Sequence, residues 1–255
     1  MDEVEQKSDA RMTFGEHLED LRRRLIYALV GMAVSLAVCL IFGRQILTML
    51  VYPYNRVMGQ SGGDASLSIL SVSGGLMLYF RVCLYSALVL GAPWVLYHLW
   101  MFVSVGLYER EKRYVKRSMP FSAVLFVGGA LFFVFVVSLP ILGFFHAFNA
   151  WIGVKEIITL DNHIHFMTNM MLVFGLGFQT PLVVFVLVKV GLVSLGTLNH
   201  YRRHVVVGIL IFAALFTSPS PLDMILLAIP MWLLYELGVL LAYFSVGRKR
   251  QQSSG

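Results

Sequence analysis

The sequence predicts an all-α integral membrane protein with six transmembrane helices, of which the fifth and sixth are short. Three observations lead to this prediction. Hydrophobic residues make up 58% of the 255 residues and charged residues only 13%, whereas soluble domains contain about 25% charged residues. Six apolar runs approach the roughly 20 residues that a helix needs to cross the hydrocarbon core. Lys and Arg are distributed very unequally between the loops that separate these runs.

The first three spans are predicted at about residues 25–42, 76–102 and 119–145, and none of them contains an acidic residue. Residues 13–16 (TFGE) fit a capping box, in which Thr and Glu side chains satisfy the free amides of a first helical turn. Because no Gly or Pro occurs from Glu16 to Val30, we expect this helix to run unbroken into the first span.

The first outer loop is predicted to be long, at about residues 43–75. Pro53 is expected to limit helix formation there, and residues 61–64 (SGGD) are expected to be flexible. Together with an outer segment at about residues 146–165, this loop is expected to form a cap.

The last three spans are predicted at about residues 166–190, 205–217 and 224–244. Residues 218–221 (SPSP) are turn-rich, so the last two spans are expected to act as one hairpin. The fifth span has only about 12 strictly apolar residues, and a run of about 10 to 14 is usually too short to cross a bilayer. If this helix does cross, it should thin the bilayer locally or tilt little.

Basic residues predict the orientation, because Lys and Arg in short loops stay on the cytoplasmic side. Of the 20 Lys and Arg residues, sixteen lie in the N-terminal arm, the second and fourth loops and the tail. Three lie in the opposite loops, and Arg81 lies inside the second span. Both termini are therefore predicted to be cytoplasmic. We divide the chain into a flexible cytoplasmic arm (1–12), a six-helix domain (13–246) and a cytoplasmic tail (247–255). This bias and attraction to lipid headgroups explain the net charge of +6, so no nucleic-acid partner is predicted.

Polar side chains inside a membrane cost free energy unless they are partnered, so each one is a candidate site. Gln179, near the middle of the fourth span, is expected to bond either a neighbouring helix or carbonyls freed by Pro181. Glu236 is expected to pair with a basic residue at a neighbouring helix end, and Arg81 to extend to the outer interface. Both are interpreted as structural.

Two other classes of function make different demands on the sequence. A membrane serine protease needs an activated Ser in a Gly-x-Ser-Gly setting, and residues 71–74 (SVSG) lack the first Gly. A zinc protease needs a His-Glu-x-x-His helix, which is missing from the sequence. We therefore predict no catalysis, no cofactor and no metal. A small-solute secondary transporter, whose usual sign is an internal repeat, stays open as the alternative although no repeat is visible.

Five segments resemble the TatC family of twin-arginine translocase subunits. At the first segment, residues 17–25 (HLEDLRRRL), the chain is similar to the family's N-terminal motif. Similarity continues at the end of the second span and the following loop, then in the fourth and sixth spans. These later segments are residues 93–102 (PWVLYHLWMF), 106–113 (GLYEREKR), 174–181 (FGLGFQTP) and 226–231 (LLAIPM). The resemblance extends over nearly the whole chain from about Phe14.

The resemblance implies a receptor in a bacterial inner membrane that binds twin-arginine signal peptides of folded precursors at its cytoplasmic face. Asp20 and Glu111 fall on the family's signal-binding acidic positions. Carboxylates hold guanidinium pairs through bidentate, charge-assisted hydrogen bonds that lysine does not reproduce. The other residues assigned to this site are Glu19, Glu109, Arg22 and Phe102. On spacing alone these acids also fit a solvated collar neutralised by neighbouring arginines, and that alternative stays open.

The resemblance further implies single-span partners of the TatA and TatB types, oligomers within a larger complex and transport driven by the proton-motive force. Gln179, Leu227 and Met231 are the residues assigned to partner-helix contact. Asp20 and Gln179 both stand where the family usually has Glu, so the first has a shorter reach and the second is not titratable. The six helices are expected to form a cradle-like bundle whose last two spans make a wall for partner docking.

Overall fold

The computed structural model describes residues 14–60, 67–69, 72–105, 109–154, 158–216 and 221–252. Within these ranges the chain is almost entirely helical, apart from short connections and an isolated parallel bridge between Ser68 and Thr159. The helices are α1 (Phe14–Gln60), α2 (Gly74–Val105), α3 (Glu109–Phe132), α4 (Ser138–Trp151), α5 (Leu160–Gly177), α6 (Thr180–Val190), α7 (Leu195–His200), α8 (Arg202–Phe216) and α9 (Pro221–Gln252).

Helix α1 is a single helix of 47 residues that passes through Pro53. The prediction that Pro53 limits helix formation was wrong. The prediction that an outer loop begins at residue 43 was wrong as well, because the helix continues to Gln60. A proline removes one intrahelical hydrogen bond, and neighbouring groups can satisfy the carbonyls that it frees. The carbonyl that Pro53 frees within the helix is that of Met49, four residues earlier. At the next residue, His163 Nε2 of α5 bonds the carbonyl oxygen of Leu50 over 3.0 Å. This contact between helices is not visible in the local sequence.

The third predicted span is longer than expected, because α3 and α4 are joined without a break by a π-helical segment, Phe133–Val137. The Ser138 hydroxyl donates to the carbonyl oxygen of Val134 over 2.5 Å at this junction. Pro140 follows two residues later and has no amide hydrogen to give. The helical stretch extends to Trp151, and α5 begins at Leu160, so helix ends take up most of the predicted outer segment at residues 146–165.

The fourth predicted span consists of α5 and α6, which are separated at Phe178 and Gln179. Pro181 occupies the first turn of α6, the position where a helix tolerates proline best. The break therefore follows from the sequence, because the proline favours a new helix start at this point.

Five helical stretches in the described residues are long and apolar enough to cross a membrane: Leu18–Gly59, Gly74–Ser104, Lys112–Trp151, Leu160–Val190 and Leu227–Phe244. They correspond to the first four predicted spans and the sixth. The fifth predicted span corresponds to α8, which has 15 residues and a length of about 22 Å. The hydrocarbon core is about 30 Å thick, so a sixth crossing stays a prediction. Helix α9 runs to Gln252, beyond the predicted start of the tail at residue 247.

Helices α1 and α2 pack antiparallel over much of their length. Trp94 Nε1 donates to the carbonyl oxygen of Tyr27 over 2.9 Å, and Tyr79 donates to that of Leu40 over 2.6 Å. Between these contacts, Cys83 Sγ lies 3.3 Å from the carbonyl oxygen of Cys39. Both cysteines are buried and free, so they act as small packing residues between the two helices. This register aligns the start of α1 with the end of α2.

The main hydrophobic core is centred on α5, whose residues Ile164, Met167, Val173 and Phe174 are almost inaccessible to solvent. Close helix contact depends on glycine at two points. A side chain at Gly238 on α9 would begin 2.7 Å from the Cα atom of Pro181, and one at Gly177 would meet the sulfur atom of Met231. Both glycines therefore let α9 approach the fourth span closely.

Candidate functional site

The predicted acidic site lies at one end of the bundle, which we call the basic end. It is formed by the start of α1, the end of α2, the start of α3 and the end of α6. Trp94 joins the first two through its hydrogen bond to Tyr27. The start of α3 and the end of α6 are joined by a buried cluster of Val115, Met119 and Val186. Trp100 of α2 packs against this cluster. The antiparallel register and these contacts bring four helix ends together.

Asp20 lies in the second turn of α1, and its carboxylate already has an arginine partner. Arg24 Nε donates to Asp20 Oδ2 over 2.5 Å, and both side chains are about one-fifth exposed. Part of the predicted collar is therefore present. A carboxylate has two oxygen atoms and several acceptor positions, so Asp20 retains capacity for a further guanidinium.

The remaining residues of the predicted peptide site are distributed over three helices. Glu19 and Arg22 are exposed on α1, and Phe102 is half-buried near the end of α2. Glu109 and Glu111 occupy the first turn of α3, but their side chains fall outside the described residues. The backbone thus carries both predicted signal-binding acids to the basic end, one on α1 and the other on α3.

Aromatic side chains surround the start of α1, and the sequence-based prediction did not include them. Tyr27 stacks on His98 with ring centroids 5.8 Å apart, and Trp94 meets the same histidine edge-on at 4.9 Å. Arg23 lies over the Tyr27 ring at 5.7 Å. Neither ring nitrogen of His98 has a hydrogen-bond partner among the described residues. Aromatic residues are enriched where helices leave the membrane, and this enrichment was the available signal.

Gln179 takes the first of its two predicted roles, a bond to a neighbouring helix. Ser122 Oγ on α3 donates to Gln179 Oε1 over 2.7 Å, and Gln179 Nε2 donates to the carbonyl oxygen of Ser122 over 2.9 Å. Trp100 Nε1 on α2 also donates to Ser122 Oγ over 2.9 Å. Ser122 was not singled out from the sequence, since a lone Ser in an apolar helix is common.

The three residues assigned to partner contact have buried side chains. Gln179 is 8% exposed, Met231 7% and Leu227 2%. Met231 packs against Gly177, and both Met231 and Leu227 belong to the main core. Partner contact at these positions stays a prediction, and it would require α9 or the α5–α6 break to move.

Arg81 and Glu236 each form an ion pair with a residue in the first turn of another helix. Arg81 donates to Asp161 Oδ1 over 2.8 Å at the end of the bundle opposite the basic end, close to the bridge between Ser68 and Thr159. Glu236 accepts from Arg202 at the start of α8 over 2.9 Å. Glu236 thus pairs with a basic residue at a neighbouring helix end, as the sequence suggested, whereas the interfacial position of Arg81 stays a prediction.

In the described part of the chain, no three or more His, Cys, Asp or Glu side chains lie close enough together to hold a metal ion. Long apolar helices with charged residues gathered at their ends define a multi-pass helical membrane protein.

Within that class, the chain belongs to the TatC family. The family model for Sec-independent protein translocase protein (TatC) matches residues 16–230. The TatC protein of Koribacter versatilis (strain Ellin345) is 33% identical over 248 residues, which cover 94% of this chain and 89% of that protein. The TatC protein of Azotobacter chroococcum mcd 1 is 31% identical over 232 residues, covering 91% and 89%.

A solved structure agrees with this assignment. The crystal structure of the twin-arginine translocase receptor TatC matches with a TM-score of 0.79 and 27% sequence identity. The match covers 90% of this chain and 99% of the solved one. The similarity therefore includes the helices at the basic end as well as the core.

Proposed function

We propose that this protein is the core receptor subunit of a twin-arginine translocase in a bacterial inner membrane. It binds the twin-arginine signal peptides of folded precursors at the cytoplasmic face and recruits single-span TatA-type and TatB-type partners. Membership of the TatC family supports a role in protein transport. The similarity to a solved twin-arginine translocase receptor supports the more specific role of a receptor.

The observation that carries this proposal is the antiparallel packing of α1 and α2 through Trp94 and Tyr27. Helix α3 begins four residues after α2 ends, so the helix starts bearing Asp20 and Glu111 share the basic end. Two carboxylates at one membrane surface suit a pair of guanidiniums, each held by bidentate hydrogen bonds. Lysine is a compact point charge and matches that geometry less well.

In this proposal the arginine that Asp20 already holds is exchanged for one from the signal peptide. Arg24 sits one helical turn from Asp20 and neutralises it in the absence of peptide. Ion pairs at a protein surface contribute only about 0.2–1 kcal/mol, and both members of this pair remain about one-fifth exposed, so a well-placed peptide arginine can displace Arg24. Glu19, Glu109 and Arg22 adjust the charge around the site, and Phe102 contacts the apolar part of the peptide.

The proposed topology has six crossings with both termini in the cytoplasm. The distribution of Lys and Arg supports it, because the basic end collects the residues that stay on the cytoplasmic side. Helix α8 would make the fifth crossing despite its length of about 22 Å, with the bilayer thinned beside it. A single cysteine placed at residue 7 or at Trp151 tests the orientation of the first three crossings. The first should react with a membrane-impermeant thiol reagent only after the cell is opened, and the second in intact cells from which the outer membrane has been stripped.

Partner docking is proposed on the apolar faces of α8 and α9 that remain exposed. Ile211 and Leu215 on α8 are more than half exposed, as are Ile229 and Leu233 on α9. Helices in lipid associate through packing and interhelical hydrogen bonds, and a continuous apolar face allows the first of these. The exposed apolar faces of α8 and α9 would be supported from inside the bundle by the buried residues Gln179, Leu227 and Met231.

The transporter alternative requires polar groups around a cavity at the midplane. The polar side chains of Gln179, Ser122 and Trp100 instead bond one another within the bundle. Family membership also favours the transport of proteins. Both observations support the receptor over the transporter.

Site-directed photo-cross-linking in membranes tests the proposed function. A photoreactive amino acid replaces Leu18 at the basic end or, as a matched control, Val154 beyond the end of α4; both are exposed. A radiolabelled precursor with a twin-arginine signal peptide should cross-link at residue 18 and not at residue 154. Replacing its two arginines by lysines should abolish the product. Equal cross-linking at both positions, or no dependence on the arginines, contradicts the proposal.

A further inference from the structure

A groove near the basic end lies between α3, α6 and α9. Its walls are apolar and include Phe121, Leu125, Leu182, Phe185 and Leu241, whereas Arg117 and Lys189 lie at one end with Tyr114. The groove has a volume of about 460 Å³. Ligand pockets are typically about 300–1,000 Å³, so it is large enough to hold part of a small amphiphile.

The groove has the length of one leaflet of a bilayer. Eight residues separate Pro181 from Lys189 on α6 and Arg117 from Leu125 on α3, which is about 12 Å along each helix. Half of the hydrocarbon core is about 15 Å. An apolar trough that begins at the charged helix ends therefore reaches close to the midplane.

Among the described residues that line the groove, the charges at its end have one sign. Arg117 is exposed, and the Lys189 ammonium lies over the Tyr114 ring at 5.5 Å. Arg113, one turn before Arg117 on α3, and Lys116, its immediate neighbour, are also exposed. The described lining residues include no carboxylate. A cation is expected at Lys189 because it lies in the last turn of α6, but Arg117 is eight residues into α3 and has no such explanation.

We propose that this groove binds one anionic membrane phospholipid. The phosphate contacts Arg117 and Lys189, and an acyl chain lies along Phe121, Leu182 and Phe185. Charge decides between this ligand and a signal peptide, since the two cations repel a pair of peptide arginines and attract a phosphodiester. None of the described residues that line the groove belongs to the set assigned to the signal peptide, and the proposal does not depend on peptide binding.

Native mass spectrometry of the full chain in detergent micelles tests this proposal. The protein is titrated with phosphatidylglycerol or with phosphatidylcholine of the same acyl chains, and the apparent Kd of the first bound lipid is measured. We expect tighter binding of phosphatidylglycerol. Since one basic residue near a membrane surface contributes about fivefold in affinity, Arg117→Gln and Lys189→Gln should each weaken its binding about fivefold. Neither change should alter phosphatidylcholine binding.

Matched controls make the result specific to the groove. Arg203→Gln removes an exposed cation at the start of α8, outside the groove, and should leave lipid affinity unchanged. Free glycerol phosphate should not displace the lipid, because it lacks the chain that fills the apolar trough. The melting temperature of each variant checks that it is folded.

Several outcomes would overturn the proposal. Equal affinity for the two lipids would do so, as would an Arg203→Gln effect as large as that of Arg117→Gln. Displacement by glycerol phosphate would assign binding to a general basic patch. If Arg117→Gln weakened a twin-arginine peptide and left phosphatidylglycerol unaffected, the groove would belong to the peptide.

Discussion

Gln179 and Ser122 exchange two hydrogen bonds across the interface between the fourth predicted span and α3. The Ser122 hydroxyl donates to the Gln179 amide oxygen, and the amide nitrogen donates to the Ser122 carbonyl oxygen. Trp100 donates to the same hydroxyl from α2. Ser122 therefore links α2 and α3 to the break between α5 and α6. The low dielectric of the helix bundle strengthens the hydrogen bonds of such a network. The same low dielectric raises the free-energy cost of leaving one of its polar groups unpaired.

The first prediction concerns this network. Gln179→Leu should lower stability by about 1–3 kcal/mol, because it leaves buried groups of Ser122 without their partner. Ser122→Ala should cost a similar amount, since Trp100 and Gln179 both lose a bond. The double variant should cost clearly less than the sum. Thermal unfolding in detergent micelles measures these effects. Ser35→Ala is the control, because its hydroxyl bonds only within α1, and additive effects would contradict the network.

The second prediction concerns the glycines at the contacts of α9. Gly238→Ala should be the most destabilising of three changes, because the new Cβ atom would meet the backbone of Pro181 at 2.7 Å. Gly177→Ala should cost less, since the atom in its way is the end of the flexible Met231 side chain. Gly208→Ala has open space and should gain up to about 1 kcal/mol from helix propensity. Melting temperatures that rank differently would refute this account of the packing.

The third prediction concerns the ion pair between Asp20 and Arg24. If Arg24 occupies the carboxylate that a peptide arginine needs, Arg24→Gln should tighten binding of a twin-arginine peptide about two- to fivefold. Arg23→Gln removes the same charge from a residue that contacts Tyr27 instead, so it controls for general repulsion. Fluorescence anisotropy of a labelled peptide gives both affinities. An equal gain in the two variants would mean that Arg24 acts only through its charge.

The fourth prediction concerns Arg202 and Glu236. Glu236 is the less exposed partner, with a side chain 25% exposed against 48% for Arg202. Arg202→Ala should therefore lower the melting temperature more than Glu236→Gln does, because it leaves a carboxylate unpaired near lipid. The double variant should resemble Glu236→Gln alone. Arg203→Ala, one residue away and exposed, should have little effect. The reverse order would show that the arginine has another role.

The membrane-spanning character of the chain was predictable because it depends on long apolar runs and on the composition of loops. Hydropathy gave the positions of the long helices but underestimated their lengths. It could not show that α1 passes Pro53, since the packing around this part of α1 includes a hydrogen bond to the Leu50 carbonyl from His163, 110 residues after the proline. Long-range contacts of this kind leave no local pattern. The length of α8 stays close to the limit at which sequence alone can decide on a crossing.

The positions of the candidate site residues in the fold were predictable to the level of helix ends. Family motifs indicated Asp20 and Glu111, and the backbone brings both to the basic end. Sequence could not reveal the Arg24 partner with certainty, because three consecutive arginines follow Asp20 and any of them was a candidate. Nor could it show that Met231 and Leu227 are buried, since a membrane helix is apolar on every side and its sequence does not distinguish lipid from core.

The most direct test of the receptor role is equilibrium binding of a signal peptide to the purified full chain. A peptide with Arg-Arg should bind at least about tenfold more tightly than its Lys-Lys counterpart, a difference of about 1.4 kcal/mol. Asp20→Asn and Glu111→Gln should each weaken the Arg-Arg peptide and reduce that preference, while Glu236→Gln at a separate ion pair should not. If the two peptides bind alike and both substitutions have no effect, these acids do not form the receptor site.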